Sequence, residues 1–292
     1  MKPSIALIGP GKVGCAVGKR LFNSGYPVHA VIGRDHVRTT DASIFIGADE
    51  AVASTNLQSA AGAEIILLAT ADDQLETLAA KLQQQLELNE DQCLIHFSGL
   101  HSAAILSSQT SSHKTLSIHP LLPFANRQIA AETLQDCPCA LEGEARAIEL
   151  GIELIKALGG QPFQIDSEKK ALYHASACIA SNFLVTLFAT AAELLAGCGI
   201  EGAAENKLLL PLVQATLDNV AHLGPQRGLT GPIVRGDRNT VTKHIASLEL
   251  SAPELMPLYQ LLGSKTVDLA RDSSRLSQEQ ADQLHRLLTS GK

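Results

Sequence analysis

Short apolar runs alternate with amphipathic stretches along the first half of the chain, a pattern typical of a parallel sheet covered by helices. The predicted strands are Ser4–Ile8, Val28–Ile32, Glu64–Ala69, Cys93–Phe97, Thr115–Ile118, Cys139–Leu141 and Phe163–Ile165, with a further short strand expected over Ser43–Ile46. The apolar spacing between them predicts helices over Val13–Asn23, Gln74–Leu86 and Arg146–Leu158.

After Asp166 the strand pattern stops and the spacing becomes helical throughout. The predicted helices are Lys169–Leu195, Lys207–Ala221, Val241–Leu248, Pro253–Arg271 and Gln278–Leu288. A chain of 292 residues is long enough for two domains. We therefore predict an α/β domain with a parallel sheet at residues 1–166, followed by an all-α domain at residues 167–292.

One apolar stretch, Ala171–Ala192, has no charged residue and is long enough to raise the question of a membrane span. Six polar side chains argue against lipid: His174, Ser176, Ser181, Asn182, Thr186 and Thr190. We expect a helix buried on all sides within the helical domain. The first apolar run of the chain is too short for a signal peptide, so a cytoplasmic location is predicted.

Composition narrows the function classes. The chain has 23 basic and 30 acidic residues, a net charge of −7, which argues against a general binder of nucleic acid or anionic membranes. It has three Tyr, seven Phe and no Trp, too few for aromatic stacking platforms. The six cysteines are dispersed and lack zinc spacing, so reduced structural thiols and no metal are expected. With these function classes excluded, the composition favours a protein that binds small molecules.

A glycine-rich loop directly follows the first predicted strand. Gly9, Gly11 and Gly14 form G-x-G-x-x-G between that strand and a helix, where glycines permit a tight turn, a close approach to a pyrophosphate and close helix packing. The helix N-terminus favours the negative charge. This predicts a Rossmann-type dinucleotide site made by Gly9, Pro10, Gly11, Lys12, Val13 and Gly14.

The end of the second strand bears on the choice of dinucleotide. Arg34 and Arg38 follow it, and a guanidinium suits the 2′-phosphate of NADP. Asp35 lies between them, and an acid at this place binds the ribose hydroxyls of NAD. We favour NADP (NADPH); the alternative is that Asp35 binds the ribose and the arginines are solvated.

Two later strand ends should also meet the cofactor, because ligands bind at the carboxyl ends of parallel strands. Ala69, Thr70 and Ala71 are small and are expected beside the adenosine ribose. Ser98 and Gly99 are expected near the nicotinamide ring, with Ser98 also a candidate for substrate binding. Ordinary loop chemistry is the alternative at both places.

Three segments carry a resemblance to a known family: Ser117–Phe124 (SIHPLLPF), Tyr173–Phe183 (YHASACIASNF) and Thr230–Asp237 (TGPIVRGD). With the N-terminal glycine loop, they resemble Rossmann-like proteins with a DUF2520 tail, within the superfamily of 6-phosphogluconate dehydrogenase, β-hydroxyacid dehydrogenases, ketopantoate reductase and pyrroline-5-carboxylate reductase. The resemblance implies NADP-dependent oxidoreduction of a small carbonyl or imine compound and a homodimer formed through the helical domain.

The chain departs from one pattern of that superfamily. β-Hydroxyacid dehydrogenases carry a catalytic Lys on the first long helix, followed one turn on by Asn; here His174 stands near the Lys position, Cys178 one turn later and Asn182 a further turn along. The Lys/Asn mechanism therefore does not transfer unchanged. Lys169 and Lys170, which open this helix, are interpreted as a solvated pair.

Polar residues on that helix are the first catalytic candidates. His174, Cys178, Ser181 and Asn182 lie at helical offsets of 0, 4, 7 and 8, so one continuous helix would place them on one face. Buried polar groups are costly unless they are paired or functional. We expect His174 as acid, Asn182 as polarising group and Ser181 at the substrate; mutual hydrogen bonding within a bundle is the alternative.

Other candidates lie outside that helix. His119 follows a strand and precedes prolines, and with an ordinary pKa near 6.5 it could serve as acid, or simply bond to local backbone. Ser117 is a weaker candidate for a hydrogen bond to substrate. Arg235 could bind a substrate carboxylate, whereas Asp237 is predicted to cap the helix that begins near Arg238.

The first functional hypothesis is an NADP-dependent reductase of a small 2-oxo acid or related imine, with ketopantoate as an example by superfamily analogy. Two alternatives remain: a non-catalytic NADP-binding sensor or assembly protein, and an imine reductase of the pyrroline-5-carboxylate type.

Overall fold

The computed structural model describes residues 1–108 and 112–289. It divides into two compact units, Met1–Asn182 and Phe183–Lys292. The strands are β1 Ile5–Ile8, β2 Val28–Ile32, β3 Ala53–Ser54, β4 Ile65–Leu68, β5 Cys93–His96, β6 Lys114–Pro120, β7 Pro138–Gly143 and β8 Gln161–Gln164. The helices are α1 Lys12–Asn23, α2 His36–Ile46, α3 Asp72–Gln85, α4 Arg127–Thr133, α5 Ile148–Leu158, α6 Lys170–Ala180, α7 Asn182–Gly197, α8 Ala203–Gly228, α9 Arg238–Ser251, α10 Met256–Asp272 and α11 Gln278–Thr289.

The eight strands form one sheet in the order β3-β2-β1-β4-β5-β6-β7-β8. All neighbours pair in parallel except β6 and β7, which are antiparallel. The first six strands have the order of a Rossmann fold, which confirms the predicted fold class. Because β1, β4, β5 and β6 are parallel, their carboxyl ends lie along the same edge of the sheet.

Both faces of the sheet are covered, which explains why its strands are continuously apolar. Ile5 and Leu7 of β1 point into one hydrophobic cluster with residues of α1, α4 and α5. Ala6 and Ile8 point into the other, which α3 covers. The alternation along β1 places the two cores on opposite sides of the sheet.

The predicted strand at Ser43–Ile46 is wrong, because these residues form the end of α2. Thr39, Ala42, Ser43 and Ile46 are the buried residues of that helix, and their spacing is helical. The short β3 at Ala53–Ser54 takes the third strand position instead. The sequence pattern also missed α4, which begins at Arg127. Asn126 caps it, because the Asn126 side chain accepts from the backbone N–H groups of Gln128 and Ile129.

The single long helix predicted over Lys169–Leu195 is also wrong. It is interrupted at Ser181 (φ −114°, ψ −68°), which ends α6 before α7 begins at Asn182. The predicted burial on all sides is wrong as well: Ser167–Gly197 is long and apolar enough to span a membrane, yet 0% of its most apolar 18-residue window is buried. The apolar composition of this segment predicted that other helices would pack around it, but no element of the described chain buries its most apolar window.

In the second unit, the core forms between α9, α10 and α11. Val241, Val267, Ala281, Leu284 and Leu288 are buried there. All residues of α7 are described and none is buried; in α8 the one buried residue is Gly228. Of the three core helices of the second unit, α10 and α11 were predicted closely. The helix α9 is longer at both ends than the predicted Val241–Leu248.

The predicted domain boundary at Asp166 remains a prediction. The last strand, β8, ends at Gln164, and only helices follow it among the residues described. By compactness, however, α6 belongs with the first unit, which ends at Asn182.

Candidate active site

The glycine loop connects β1 to α1. Gly9 has φ +86°, and a Cβ there would lie 2.9 Å from the carbonyl carbon and oxygen of Ala69. At Gly14 a Cβ would lie 2.5 Å from the Gly9 carbonyl oxygen. At Gly11, apart from its chain neighbours and adjoining helix backbone, no described atom lies within 4 Å of the position a Cβ would take. Two glycines thus permit the tight loop, and the middle one leaves open space above the helix N-terminus.

That space suits a pyrophosphate. No side chain caps the first turn of α1, no acidic residue lies in it, and Lys12 is exposed there. Its N-terminal N–H groups and positive dipole end are therefore available to an anion. Nearby, Thr70 Oγ1 is buried without a hydrogen-bond partner among the described residues. The Cγ2 methyl of the same side chain would lie 2.9 Å from a Cβ at Gly9. Loop, helix and hydroxyl together fit a bound dinucleotide.

Arg34, Asp35 and Arg38 follow β2, and all three are exposed. Asp35 caps α2, because its carboxylate accepts the Arg38 backbone N–H at 2.8 Å. One oxygen of the carboxylate is thus used within the chain, whereas the arginine head groups are exposed to solvent. This placement fits the 2′-phosphate of NADP better than the ribose hydroxyls of NAD.

At the end of β5, Ser98 organises the following loop. Its hydroxyl accepts the backbone N–H groups of Leu100 and His101 at 3.1 Å, and its own N–H donates to Nδ1 of His96. Ser98 is 5% exposed, so its side chain shapes the loop that holds Gly99. Binding of cofactor or substrate by Ser98 remains a prediction.

Lys170, interpreted from sequence as part of a solvated pair, is buried, whereas Lys169 is exposed. The Nζ of Lys170 donates to Ser117 Oγ at 2.6 Å and to the Ser98 carbonyl at 3.2 Å. It also lies 3.7 Å from Glu142 Oε1. The sequence held one signal for this placement of Lys170: it precedes the candidate His174 by one helical turn and so lies on the same helix face.

The structure brings the two histidine candidates together. The rings of His119, on β6, and His174, on α6, have centroids 5.9 Å apart. Gly99 lies between them: a Cβ there would be 2.6 Å from His174 Cδ2 and 2.8 Å from His119 Nε2. His119 Nδ1 forms a 2.8 Å hydrogen bond with the Tyr173 hydroxyl. Sequence separation concealed this cluster, which we call the histidine cluster: Gly99, His119, Tyr173 and His174.

Burial lowers the pKa of His119 to about 4, with further lowering by the charge of Lys170 and by His174. His119 is therefore neutral at pH 7, in contrast to the ordinary pKa assumed from sequence. Its strand is longer than predicted, so it lies within β6, paired with Ala140 of β7, and not in a loop after the strand.

The other predicted site residues are more scattered. Ser181 ends α6 and Asn182 begins α7, so the interruption removes the continuous helix on which their shared face was predicted. Arg235 is exposed in the second unit, at the end of the short 3₁₀ segment Ile233–Arg235. Asp237 caps α9 by accepting the Thr240 backbone N–H, as predicted. Functional roles for Ser181, Asn182 and Arg235 remain predictions.

All six cysteines are unpaired, and Cys15, Cys93, Cys137 and Cys139 are buried. Within residues 1–108 and 112–289, no group of three or more His, Cys, Asp or Glu is placed to hold a metal ion.

The topology and glycine loop define the first unit as a Rossmann-fold domain of the dinucleotide-binding type. Family models match residues 1–120 as a Rossmann-like domain and residues 137–266 as the domain of unknown function DUF2520. The chain is thus a Rossmann-like protein with a DUF2520 domain, which confirms the family predicted from its sequence. No curated protein matches it.

Solved structures share the fold. Protein TM1727 from Thermotoga maritima has a TM-score of 0.73 at 24% identity, covering 92% of this chain and 99% of that chain. A reductive aminase from Aspergillus terreus in complex with NADPH and ethyl-5-oxohexanoate has a TM-score of 0.60 at 14% identity, with coverage of 99% and 93%. A pyrroline-5-carboxylate reductase from Coxiella burnetii has a TM-score of 0.58 at 15% identity, with coverage of 97% and 99%.

Proposed function

We propose that this protein is an NADP-dependent oxidoreductase that reduces a small carbonyl compound by hydride transfer, with 2-oxo acids of the ketopantoate kind as the first substrate class to test. The observation that carries the proposal is a shared sheet edge. The glycine loop follows β1, Gly99 follows β5, and His119 lies near the end of β6, all in parallel strands. A dinucleotide site and polar side chains suited to a carbonyl group thus occupy one edge.

NADPH, when bound, supplies the hydride. The chain's own residues then have distinct tasks. The first turn of α1 and Lys12 bind the pyrophosphate, while Arg34 and Arg38 bind the 2′-phosphate. At the histidine cluster, His119 and His174 offer hydrogen bonds to the oxygen on which negative charge develops during reduction, and His174, the predicted acid, donates the proton that completes the alcohol. Asn182 as polarising group, and Ser181 and Arg235 as substrate ligands, complete the proposal.

The test has two parts. NADPH and NADH binding is measured by fluorescence titration, and NADPH oxidation is then followed with a panel of 2-oxo acids, semialdehydes and cyclic imines. Tight NADPH binding with turnover of a 2-oxo acid supports the proposal. Tight binding without turnover of any panel member supports a non-catalytic NADP-binding protein instead.

Imine reduction is the second candidate. It is favoured by the structural similarity to a pyrroline-5-carboxylate reductase and a reductive aminase, although at 14–15% identity the similarity concerns the fold. The same panel separates the two: preference for a cyclic imine over every 2-oxo acid would assign the protein to this class.

We also propose that the protein works as a soluble cytoplasmic homodimer. Large apolar side chains are exposed along α7 and α8, among them Phe183, Val185, Leu208, Leu210 and Leu212. A concentration of exposed large apolar side chains along two consecutive helices is typical of an interface. Glu205, Lys207 and Asp218 on α8 argue against lipid, so a second copy of this chain is the proposed partner.

A further inference from the structure

The hydrogen bond between Tyr173 and His119 bears on which nitrogen of His119 carries a proton. Tyr173 Oη lies 2.8 Å from His119 Nδ1, and the two rings meet edge to face with centroids 5.5 Å apart. The Tyr173 ring also packs against Phe163, with centroids 6.1 Å apart. The phenol is therefore held against this one nitrogen.

The direction of the bond follows from the partners available. Among the described residues, His119 Nδ1 is the hydrogen-bond partner found for the Tyr173 hydroxyl. A phenol has one proton to donate, and a neutral imidazole has one nitrogen that accepts and one that donates. If the phenol donates to Nδ1, the remaining imidazole proton resides on Nε2.

We propose that Tyr173 is a positioning residue that holds His119 as the neutral Nε2–H tautomer, so that His119 presents a hydrogen-bond donor to the substrate. This inference rests on the proposed function for the identity of the acceptor. A carbonyl oxygen accepts such a bond, whereas a protonated iminium nitrogen has no lone pair to do so. The tautomer thus favours a carbonyl, or an unprotonated imine, as the bound group.

The surroundings of Nε2 agree with this role. A Cβ at Gly99 would lie 2.8 Å from Nε2, so the glycine leaves this nitrogen uncovered. His119 is partly buried, neither enclosed nor fully exposed, which leaves a path for a ligand.

The charged and titratable groups around His119 favour its neutral form. Lys170 and His174 on α6 lower its pKa and Asp72 of α3 raises it, but burial dominates and brings the pKa to about 4. Burial also raises the pKa of Tyr173 to about 12, with contributions from Cys139 and Cys137, so the phenol keeps its proton. His96 on β5 is itself neutral, because burial lowers its pKa to about 3.

The tautomer is measured directly by long-range ¹H–¹⁵N correlation NMR on the ¹⁵N-labelled full chain at pH 7, with His119 assigned from the His119→Gln variant. We expect an unprotonated Nδ1 and a protonated Nε2 in the wild type. In Tyr173→Phe, both nitrogens should move toward a mixture of tautomers. A protonated Nδ1 or an imidazolium in the wild type would overturn the proposal, as would an unchanged His119 signal in Tyr173→Phe.

The chain contains a matched control. Tyr259 Oη forms a 2.9 Å hydrogen bond with His244 Nδ1 in the second unit, with ring centroids 6.0 Å apart. Tyr259→Phe should change the His244 signals and leave those of His119 in place.

Turnover separates this inference from the proposed function. With an active substrate from the panel, Tyr173→Phe should lower kcat about tenfold with little change in KM, because a misoriented donor weakens transition-state stabilisation. An unchanged kcat would overturn the positioning role. If NMR gives the Nε2–H tautomer and no substrate turns over, the proposed carbonyl reduction fails, and with it the substrate-facing role, while the tautomer assignment stands.

Discussion

Lys170 and Glu142 form a buried ion pair, with Nζ and Oε1 3.7 Å apart and side chains 1% and 8% exposed. Each ion has further partners: Lys170 donates to Ser117 and to the Ser98 carbonyl, and Glu142 accepts the Ala103 backbone N–H at 2.6 Å. Burial lowers the pKa of Lys170 and raises that of Glu142, while their mutual attraction opposes both shifts. The pair joins α6 to β7 beside the histidine cluster.

We expect Lys170→Met to destabilise the protein by about 3–5 kcal/mol, because it leaves the Glu142 carboxylate buried without its counter-ion. The free energy of unfolding is measured by urea denaturation. Lys169→Met is the matched control: Lys169 is exposed and adjacent, so its loss should change stability by no more than about 0.5 kcal/mol. Equal effects of the two substitutions would contradict the structural role assigned to Lys170.

Gly99→Ala should impair catalysis more than folding. The added Cβ would lie 2.6 Å from His174 Cδ2 and 2.8 Å from His119 Nε2, so at least one ring must move. Displacement of a catalytic group by about 1 Å can cost about 100-fold in rate, and we expect kcat/KM to fall by about 10- to 100-fold. Steady-state kinetics with the active panel substrate provides the measurement.

The control for that substitution is Gly197→Ala. Gly197 ends α7, and outside its own helix and chain neighbours no described atom lies within 4 Å of the position its Cβ would take. Full activity in Gly99→Ala would show that the space between the two histidines is not required.

Arg34→Ala should weaken NADPH binding about tenfold, the loss of about 1.4 kcal/mol from one guanidinium–phosphate contact, and leave NADH binding nearly unchanged. The reason is that only NADPH carries the 2′-phosphate. Fluorescence titration with both cofactors measures the difference, and Arg286→Ala, an exposed arginine of α11, serves as control. Equal losses for NADPH and NADH would contradict the assignment of Arg34 to the 2′-phosphate.

The cofactor loop could be predicted from sequence and the histidine cluster could not, for a physical reason. Gly9, Gly11 and Gly14 act within one turn between a strand and a helix, so their spacing alone specifies the local geometry. His119 and Tyr173 are 54 residues apart, and only the pairing of strands and the packing of α6 bring them together.

The burial of individual side chains was the second feature that the sequence did not predict. Lys170 stands beside Lys169 in the chain, but a helix turns about 100° per residue and points neighbouring side chains in different directions. Conversely, the apolar run after Ala171 predicted a covered helix, yet covering depends on what packs against it. Composition indicates which side chains are apolar enough to be buried, but it does not show which helix, strand or second chain packs against them.

Stability should fall as the pH decreases from about 6.5 to 4. Burial lowers the pKa of His96 to about 3 and that of His119 to about 4, below the ordinary value of about 6.5. In this window the unfolded chain binds protons that the folded chain does not, so protonation favours unfolding; above the window the contribution is complete and constant. Within this window, each imidazole lowers the free energy of unfolding by up to about 1.4 kcal/mol for each pH unit of acidification.

Urea denaturation at pH 7.5, 6 and 5 measures this dependence. His119→Gln should lose stability less steeply with acid than the wild type, whereas His36→Gln, an exposed histidine of α2, should keep the wild-type slope. An unchanged slope in His119→Gln would mean that His119 is not buried in its neutral form.

Leu212→Glu should convert a homodimer to monomers. Leu212 is 64% exposed on α8, a helix with Gly228 as its one buried residue, and a carboxylate placed in an apolar interface loses its hydration. Sedimentation equilibrium should give twice the chain mass for the wild type and the chain mass for the variant. Ile129→Glu, at a site 60% exposed on α4 in the first unit, should remain dimeric. A monomeric wild type would contradict the second copy as partner, and binding of the wild type to lipid vesicles would point to a membrane as the occupant of this face instead.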